Sequence, residues 1–183
     1  MTLLDSPTIP DVSAEDRALR LLEAGTAWND RIAADVAAAQ LTYRVRGTGE
    51  GAVATRLTAG KHEFLIDEPD ALAGDDIAPS PVEVALGSLI ACQVVVYRLY
   101  AEALGIQVDD IQVTAEGDLD VRRLFGVDES VRPGFGEVRL DIALTGPETE
   151  ERYEELKAAV DAHCPVLDLF ANPTPINITV QRA

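Results

Sequence analysis

Residues 80–92 read Ser80-Pro81-Val82-Glu83-Val84-Ala85-Leu86-Gly87-Ser88-Leu89-Ile90-Ala91-Cys92. This is the entry to a helix. The Ser80 hydroxyl can cap the first turn, Pro81 suits the first helical position, and Glu83 can reach back to close a capping box. The apolar pattern runs on to Leu104, where Gly105 supplies a C-terminal stop. A helix that is apolar on most sides is a central one, covered nearly all round. Cys92 shares a face with Ala85, Ser88, Leu89, Val96 and Leu99, at helical offsets. There a cysteine can be a small core hydrophobe or a reactive thiol, and the local pattern leaves both open.

Upstream, Leu41 to Arg46 and Ala52 to Leu57 alternate apolar and polar residues, with Gly47-Thr48-Gly49-Glu50-Gly51 as the turn between them. Lys61 to Asp67 is a third strand, and the three predict a meander. Glu68 to Pro79 is a loop. Further back, Ser13-Ala14-Glu15-Asp16 is a helix start, with a capping serine and acids in the first turn. Helical composition continues to about Gln40, with a break near Gly25-Thr26; residues 1–12 are expected to be loose. Downstream come a strand at Val108 to Asp120, a charged loop at 122–134 and a strand at Phe135 to Leu144. Pro147 opens a helix that ends at His163-Cys164-Pro165, because the residue before a proline is pushed out of helical geometry. Asn172-Pro173 marks a turn and Ile176 to Val180 a final strand. The class is α+β, with a helical extension over 1–40 and a domain over 41–183.

The chain has 183 residues, 47% hydrophobic and 26% charged, with a net charge of −17. That balance speaks against nucleic acid and against an anionic membrane surface, both of which need clustered cations. The apolar stretch Val84 to Tyr100 is interrupted by Ser88, Gln93 and Arg98 and is short for a bilayer. Met1 to Pro7 lacks the pattern of a secretory signal, so a reducing cytoplasmic setting is expected. Two cysteines make no disulfide scaffold. Cys164 falls at a helix C-terminus, where the dipole raises a thiol pKa, so a reactive role needs a cation from elsewhere in the fold. His163 reads as a surface residue. His62 is too distant in sequence to give metal-ligand spacing, and the glycines at 47–51 lack the following helix of a phosphate loop.

The stretch 80–92 resembles the entry to the central helix of the OsmC/Ohr family: Asn/Ser-Pro, an acidic residue, a run of small and apolar residues, then Ala-Cys. The second family element is a Cys-Pro closing a later helix, here Ala162-His163-Cys164-Pro165, followed by Asn172-Pro173 and Ile176 to Val180. Ile66-Asp67-Glu68-Pro69, Glu116-Gly117-Asp118-Leu119-Asp120 and Val131-Arg132-Pro133-Gly134-Phe135 are similar to an OsmC-like branch, and the resemblance spans roughly residues 60–181. It implies an intertwined homodimer, with sheets wrapping two long central helices and an active site at the subunit interface. It also implies reduction of organic hydroperoxides by a Cys92–Cys164 pair, with Cys92 peroxidatic, Cys164 resolving, an external dithiol as reductant, and no cofactor.

In the peroxidase branches a Glu ten residues before the first cysteine helps to hold an Arg over the thiolate. Val82 stands at that position, and Glu83 lies about 180° round the helix from Cys92, where it serves the cap. The family Arg comes from an early strand or from the loop before the central helix. That loop holds no Arg here, leaving Arg44, Arg46 and Arg56, of which Arg56 fits best by spacing. The alternative reading is a non-enzymatic OsmC-like dimer that binds a small apolar ligand or senses redox state.

Overall fold

The computed structural model describes residues 8–182. Most of the segment expected to be loose, 1–7, lies outside the described residues, and 8–12 carry no regular structure. In chain order the elements are α1 (Ala14–Ala34), a 3-10 turn (Val36–Ala39), β1 (Val45–Glu50), β2 (Ala54–Ala59), β3 (His62–Ile66), α2 (Pro81–Leu104), β4 (Asp110–Leu119), β5 (Phe135–Thr145), α3 (Glu150–His163) and α4 (Pro165–Ala171). β1, β2 and β3 form one antiparallel meander, and β4 and β5 a separate antiparallel hairpin.

α2 organises the rest. Its capping box forms as the sequence predicts: the Glu83 amide donates to the Ser80 hydroxyl at 3.4 Å, and the Ser80 amide donates to the Glu83 carboxylate at 2.7 Å. Gly105 ends the helix in the left-handed region, with φ of 61°, where a side chain would be strained. Leu89 and Tyr97 of α2 are buried, as are Leu156 and Val160 of α3, while Ile106 and Val108 close the core beside β4. α2 is 24 residues long and, by length and apolarity alone, sufficient to cross a bilayer, so the expectation that its apolar stretch is too short does not hold.

The loop before α2 is tied at both ends by Asp67. Its carboxylate accepts from the Asp75 amide at 3.0 Å and the Ile77 amide at 3.3 Å, while its own amide donates to Pro79 at 3.2 Å. Gly74 makes this closure possible, because a Cβ there would lie 1.6 Å from the Glu68 carbonyl oxygen.

Several boundaries differ from the sequence reading. α1 runs through Gly25-Thr26 unbroken, since a glycine costs a helix about 1 kcal/mol without ending it. The first strand takes in Gly47 to Glu50, and the turn falls at 51–53, where Gly51 has φ of 58°. Gly47 belongs in the strand because a Cβ would press to 2.8 Å from Leu57. α3 is capped by Thr149, whose hydroxyl accepts from the Arg152 amide, so Pro147 lies before the helix and does not open it. α4 is not anticipated by the sequence expectation: Pro165 ends α3 and, because proline also suits a first helical position, opens a second helix. Ile176 to Val180 carries no regular secondary structure and pairs with no strand among the described residues: Ile176, Ile178 and Val180 are 80%, 83% and 94% exposed.

Candidate functional site

Cys92 sits midway along α2, half-buried, and Cys164 at the junction of α3 and α4, only 3% exposed. Pro165 creates that junction. Its missing amide ends α3, whose last bond runs from the Cys164 amide to Val160 at 2.9 Å. The fixed φ of proline then starts α4, and the Cys164 carbonyl accepts from the Asp168 amide at 3.1 Å. The short helix so formed packs on α2. The result is that two cysteines separated along the chain come into one core: Cys92 packs against the buried cluster that holds Cys164.

The electrostatics at Cys92 are those of a neutral thiol. Burial pushes the Cys92 thiol up. The Val166 amide works in the opposite direction, and the adjoining Cys164 raises it further.

A groove of about 870 Å³ opens beside Cys164, and Cys92 is not among the residues that line it. Its lining includes Cys164, Leu89 and Ala85 of α2, Phe135 and Leu140 of β5, and Phe170 of α4. Arg132, in the β4–β5 loop, also lines it and has no ion-pair partner among the described residues. The sequence reading quoted Arg132 only as part of a motif. Its position at the groove depends on how the hairpin loop folds back, which no local pattern discloses.

Arg56 sits elsewhere. On β2, opposite Thr48 and Leu65, its guanidinium grips Glu50 in a two-bond pair at 2.8 and 3.0 Å. No hydrogen bond joins it to either cysteine among the described residues. Arg46 lies on neighbouring β1, and Arg44 just before it. Glu83 is held in the cap, its carboxyl pulled below the usual range by the Ser80 hydroxyl and amide. His163 is exposed; its Nδ1 donates to Ala159 at 2.7 Å and its ring lies 4.5 Å from that of Tyr100.

One further residue is conspicuous beside Cys92. Gln93 is 0% exposed, and neither its Oε1 nor its Nε2 has a hydrogen-bond partner among the described residues. The sequence reading saw it only as a polar interruption of an apolar run. Which polar residue of a helix ends up sealed without a partner is a tertiary property.

These features are those of an α+β fold built round one long apolar helix that carries a cysteine, with a Cys-Pro corner brought against it. The family model for OsmC-like proteins matches residues 74–179, and the chain belongs to that family. Its structure is similar to that of an OsmC-like protein from Mycoplasma pneumoniae, at 16% identity and a TM-score of 0.63, covering 72% of this chain and 89% of that one. It is also similar to an organic hydroperoxide resistance protein OsmC from Legionella pneumophila, at 22% identity and a TM-score of 0.56, covering 71% and 89%. A third similar structure is an organic hydroperoxide resistance protein from Elizabethkingia anophelis, at 24% identity and a TM-score of 0.55, covering 71% and 88%. At these identities the likeness is one of fold. No curated sequence matches the chain.

Proposed function

We propose that the protein is a thiol peroxidase that reduces organic hydroperoxides through Cys92 and Cys164, working as a homodimer in the reducing cytoplasm. The observation that carries this reading is that the only two cysteines, one half-buried and one buried, share one core, with Cys164 on the wall of a largely apolar groove. Two solved structures of similar fold bear the name organic hydroperoxide resistance protein.

In the proposed cycle the Cys92 thiolate attacks the terminal oxygen of the hydroperoxide. The O–O bond breaks, the alkoxide takes up a proton and leaves as alcohol, and Cys92 becomes a sulfenic acid. Cys164 then attacks that sulfur, water leaves, and a disulfide forms; an external dithiol returns both to thiols. The first step needs a cation, because burial holds the Cys92 thiol up. Arg56 is proposed for that role, delivered by a second copy of the chain. Its ion pair with Glu50 is solvent-exposed, and exposed pairs contribute little and exchange readily. The meander that carries Arg56 packs mostly on itself, and Phe64 of β3 is 41% exposed, which suits coverage by a second copy.

The test is mass spectrometry after stoichiometric cumene hydroperoxide. Wild type should form a Cys92–Cys164 disulfide. Cys92→Ser should consume no peroxide. Cys164→Ser should consume about one equivalent and then over-oxidise. A wild-type protein that forms no such disulfide favours the second reading, a non-enzymatic dimer that binds a small apolar ligand or senses redox state. The raised Cys92 thiol is the observation on that side.

A further inference from the structure

Gln93 carries the strongest unexplained polar feature of the molecule. The large majority of buried side-chain amides are paired, because an unpaired donor or acceptor in the interior keeps its desolvation cost. Here both amide atoms are unpaired among the described residues, at the middle of the buried face of α2. A second copy docking on the outside cannot relieve this, since the residue presents no surface. Only something that enters the interior alongside α2 can reach it.

The surroundings provide such an entry. Leu89 and Tyr97 lie four residues before and after Gln93, on the same helical face. Leu89 lines the groove that holds Cys164. Tyr97 lines a second cavity of about 350 Å³. The two spaces share Leu140 and Ile142 of β5 and Lys157 of α3. Gln93 itself lines neither cavity, but it sits on α2 between Leu89 and Tyr97, which line two spaces with a common wall of Leu140, Ile142 and Lys157. Burial pushes the Tyr97 hydroxyl up to about 12, with Asp161 and Glu154 adding to it, so it is a neutral donor there at any ordinary pH.

We infer that the groove extends inward past Leu89 and that Gln93 is a specificity-determining residue, reading a hydroxyl or hydroperoxide group on an otherwise apolar ligand. A primary amide donates and accepts at once, and its complement is a group that does the same. A terminal –OH or –OOH fits, whereas a plain hydrocarbon leaves the amide unpaired. Apolar pockets with a few placed polar groups are the usual form of small-molecule sites. The inference rests on the peroxidase reading only in taking a hydroperoxide as the natural ligand; the alcohol it yields is an unreactive probe of the same contact.

The experiment is calorimetric titration of the reduced full-length protein with cumyl alcohol and, separately, with cumene. The two share an apolar body and differ by the hydroxyl. Wild type should bind the alcohol about tenfold or more tightly, the order of discrimination one buried hydrogen bond provides. Gln93→Met, close in shape and without the amide, should bind the two within about twofold of each other. Its melting temperature should equal or exceed that of wild type, because an unpaired buried group has been removed. Gln93→Leu serves as a second variant. Equal affinities in wild type, no binding of either compound, or a preference that survives Gln93→Met would each overturn the inference. Peroxide consumption is measured separately. A wild type that consumes none while keeping the Gln93-dependent preference defeats the peroxidase reading and leaves this one standing.

Discussion

Two halves of the chain solve the problem of burial differently. Around α2, the β4–β5 hairpin and α3 close a core in which Tyr97, Leu89, Leu156 and Val160 are sealed. The β1–β3 meander is fully hydrogen-bonded between its strands, yet Ala54 is its only buried residue among those described. The first half closes a core within one chain, although α2 still leaves Val95 and Leu99 56% and 37% exposed. The second has regular structure without a core, and a three-stranded sheet needs a covered apolar face to be stable. The segment Ile176 to Val180 shares this condition, with three exposed apolar side chains and no strand paired to it among the described residues. Elements left uncovered in one chain are the natural interface with a second.

This contrast is sharpest at the level of stability. Leu156→Ala, in the complete half, should cost about 2–5 kcal/mol in a urea titration, as deletion of a sealed leucine does. Phe64→Ala, in the incomplete half, should cost much less at protein concentrations low enough to separate subunits, and about as much at high concentration. If the two substitutions cost the same at every concentration, the halves do not differ in the way described. Light scattering supplies the direct check. A dimer is expected at low micromolar concentration, and a stable folded monomer there would show that the meander needs no second copy.

The cysteines test the contrast from the chemical side. Within one chain the Cys92 thiol is raised, so it is protonated at neutral pH and alkylates slowly, with a rate that climbs as pH rises past the ordinary thiol value of about 8.5. If the second copy brings Arg56 to the site, the dimer should react with iodoacetamide at a lower apparent pKa than the separated chain. Each unit of decrease raises the thiolate fraction near neutrality about tenfold. Arg56→Ala should return the dimer to the single-chain profile. A dimer whose profile matches that of the separated chain, or one indifferent to Arg56→Ala, removes Arg56 from the proposed role.

Much of the complete half was legible in the sequence. Ser80-Pro81 with Glu83, and Leu104 with Gly105, fix both ends of α2 through local chemistry that no tertiary contact overrides. The errors cluster where local signals carry two meanings. Pro165 both ends α3 and begins α4, and only the second meaning places Cys164 against Cys92. Glycines 47 and 49 were read as a turn, but Gly47 is needed inside the strand where the Leu57 side chain approaches. The strand expected at Ile176 to Val180 has the right composition, but a strand is a property of its neighbour as well. Of the site, the two cysteines were readable from their motifs. Gln93 and Arg132 were not, because their significance lies in what surrounds them in three dimensions.

A smaller effect is expected at Asp67, which ties the loop leading into α2. Its carboxyl is lowered by the Glu68, Ile77 and Asp75 amides, although burial opposes them. A carboxyl lowered in the folded state contributes stability that is fully present above its unfolded value, about 3.9, and that fades as pH falls through the lowered folded value. Hydrogen exchange at the Asp75 and Ile77 amides should therefore show protection that is constant from neutral pH down to about 4 and weakens below it. Asp67→Asn should weaken that protection at every pH and remove its acid dependence. Unchanged protection in the variant would mean that the loop is held by other contacts, with Gly74 and the Pro69 carbonyl as the remaining candidates.

The smallest effect should come from Glu83→Gln, and its smallness is informative. Glu83 is the residue nearest to the position where peroxidase branches of the family carry an acid that acts at the thiolate. In this structure its Oε2 accepts from both the Ser80 amide and the Ser80 hydroxyl at 2.7 Å, which ties the side chain to the first turn of α2. A glutamine fills the same place in a capping box. The melting temperature of Glu83→Gln should stay within about 2 °C of wild type, and peroxide turnover should be unchanged. Ser80→Ala, which removes the other half of the box, should cost about 1 kcal/mol with no specific loss of turnover. If instead Glu83→Gln keeps its stability and loses most of its turnover, the carboxylate acts on the chemistry of Cys92. The cap and the site would then be one device, and α2 would have to present Glu83 to the second copy and not only to its own first turn.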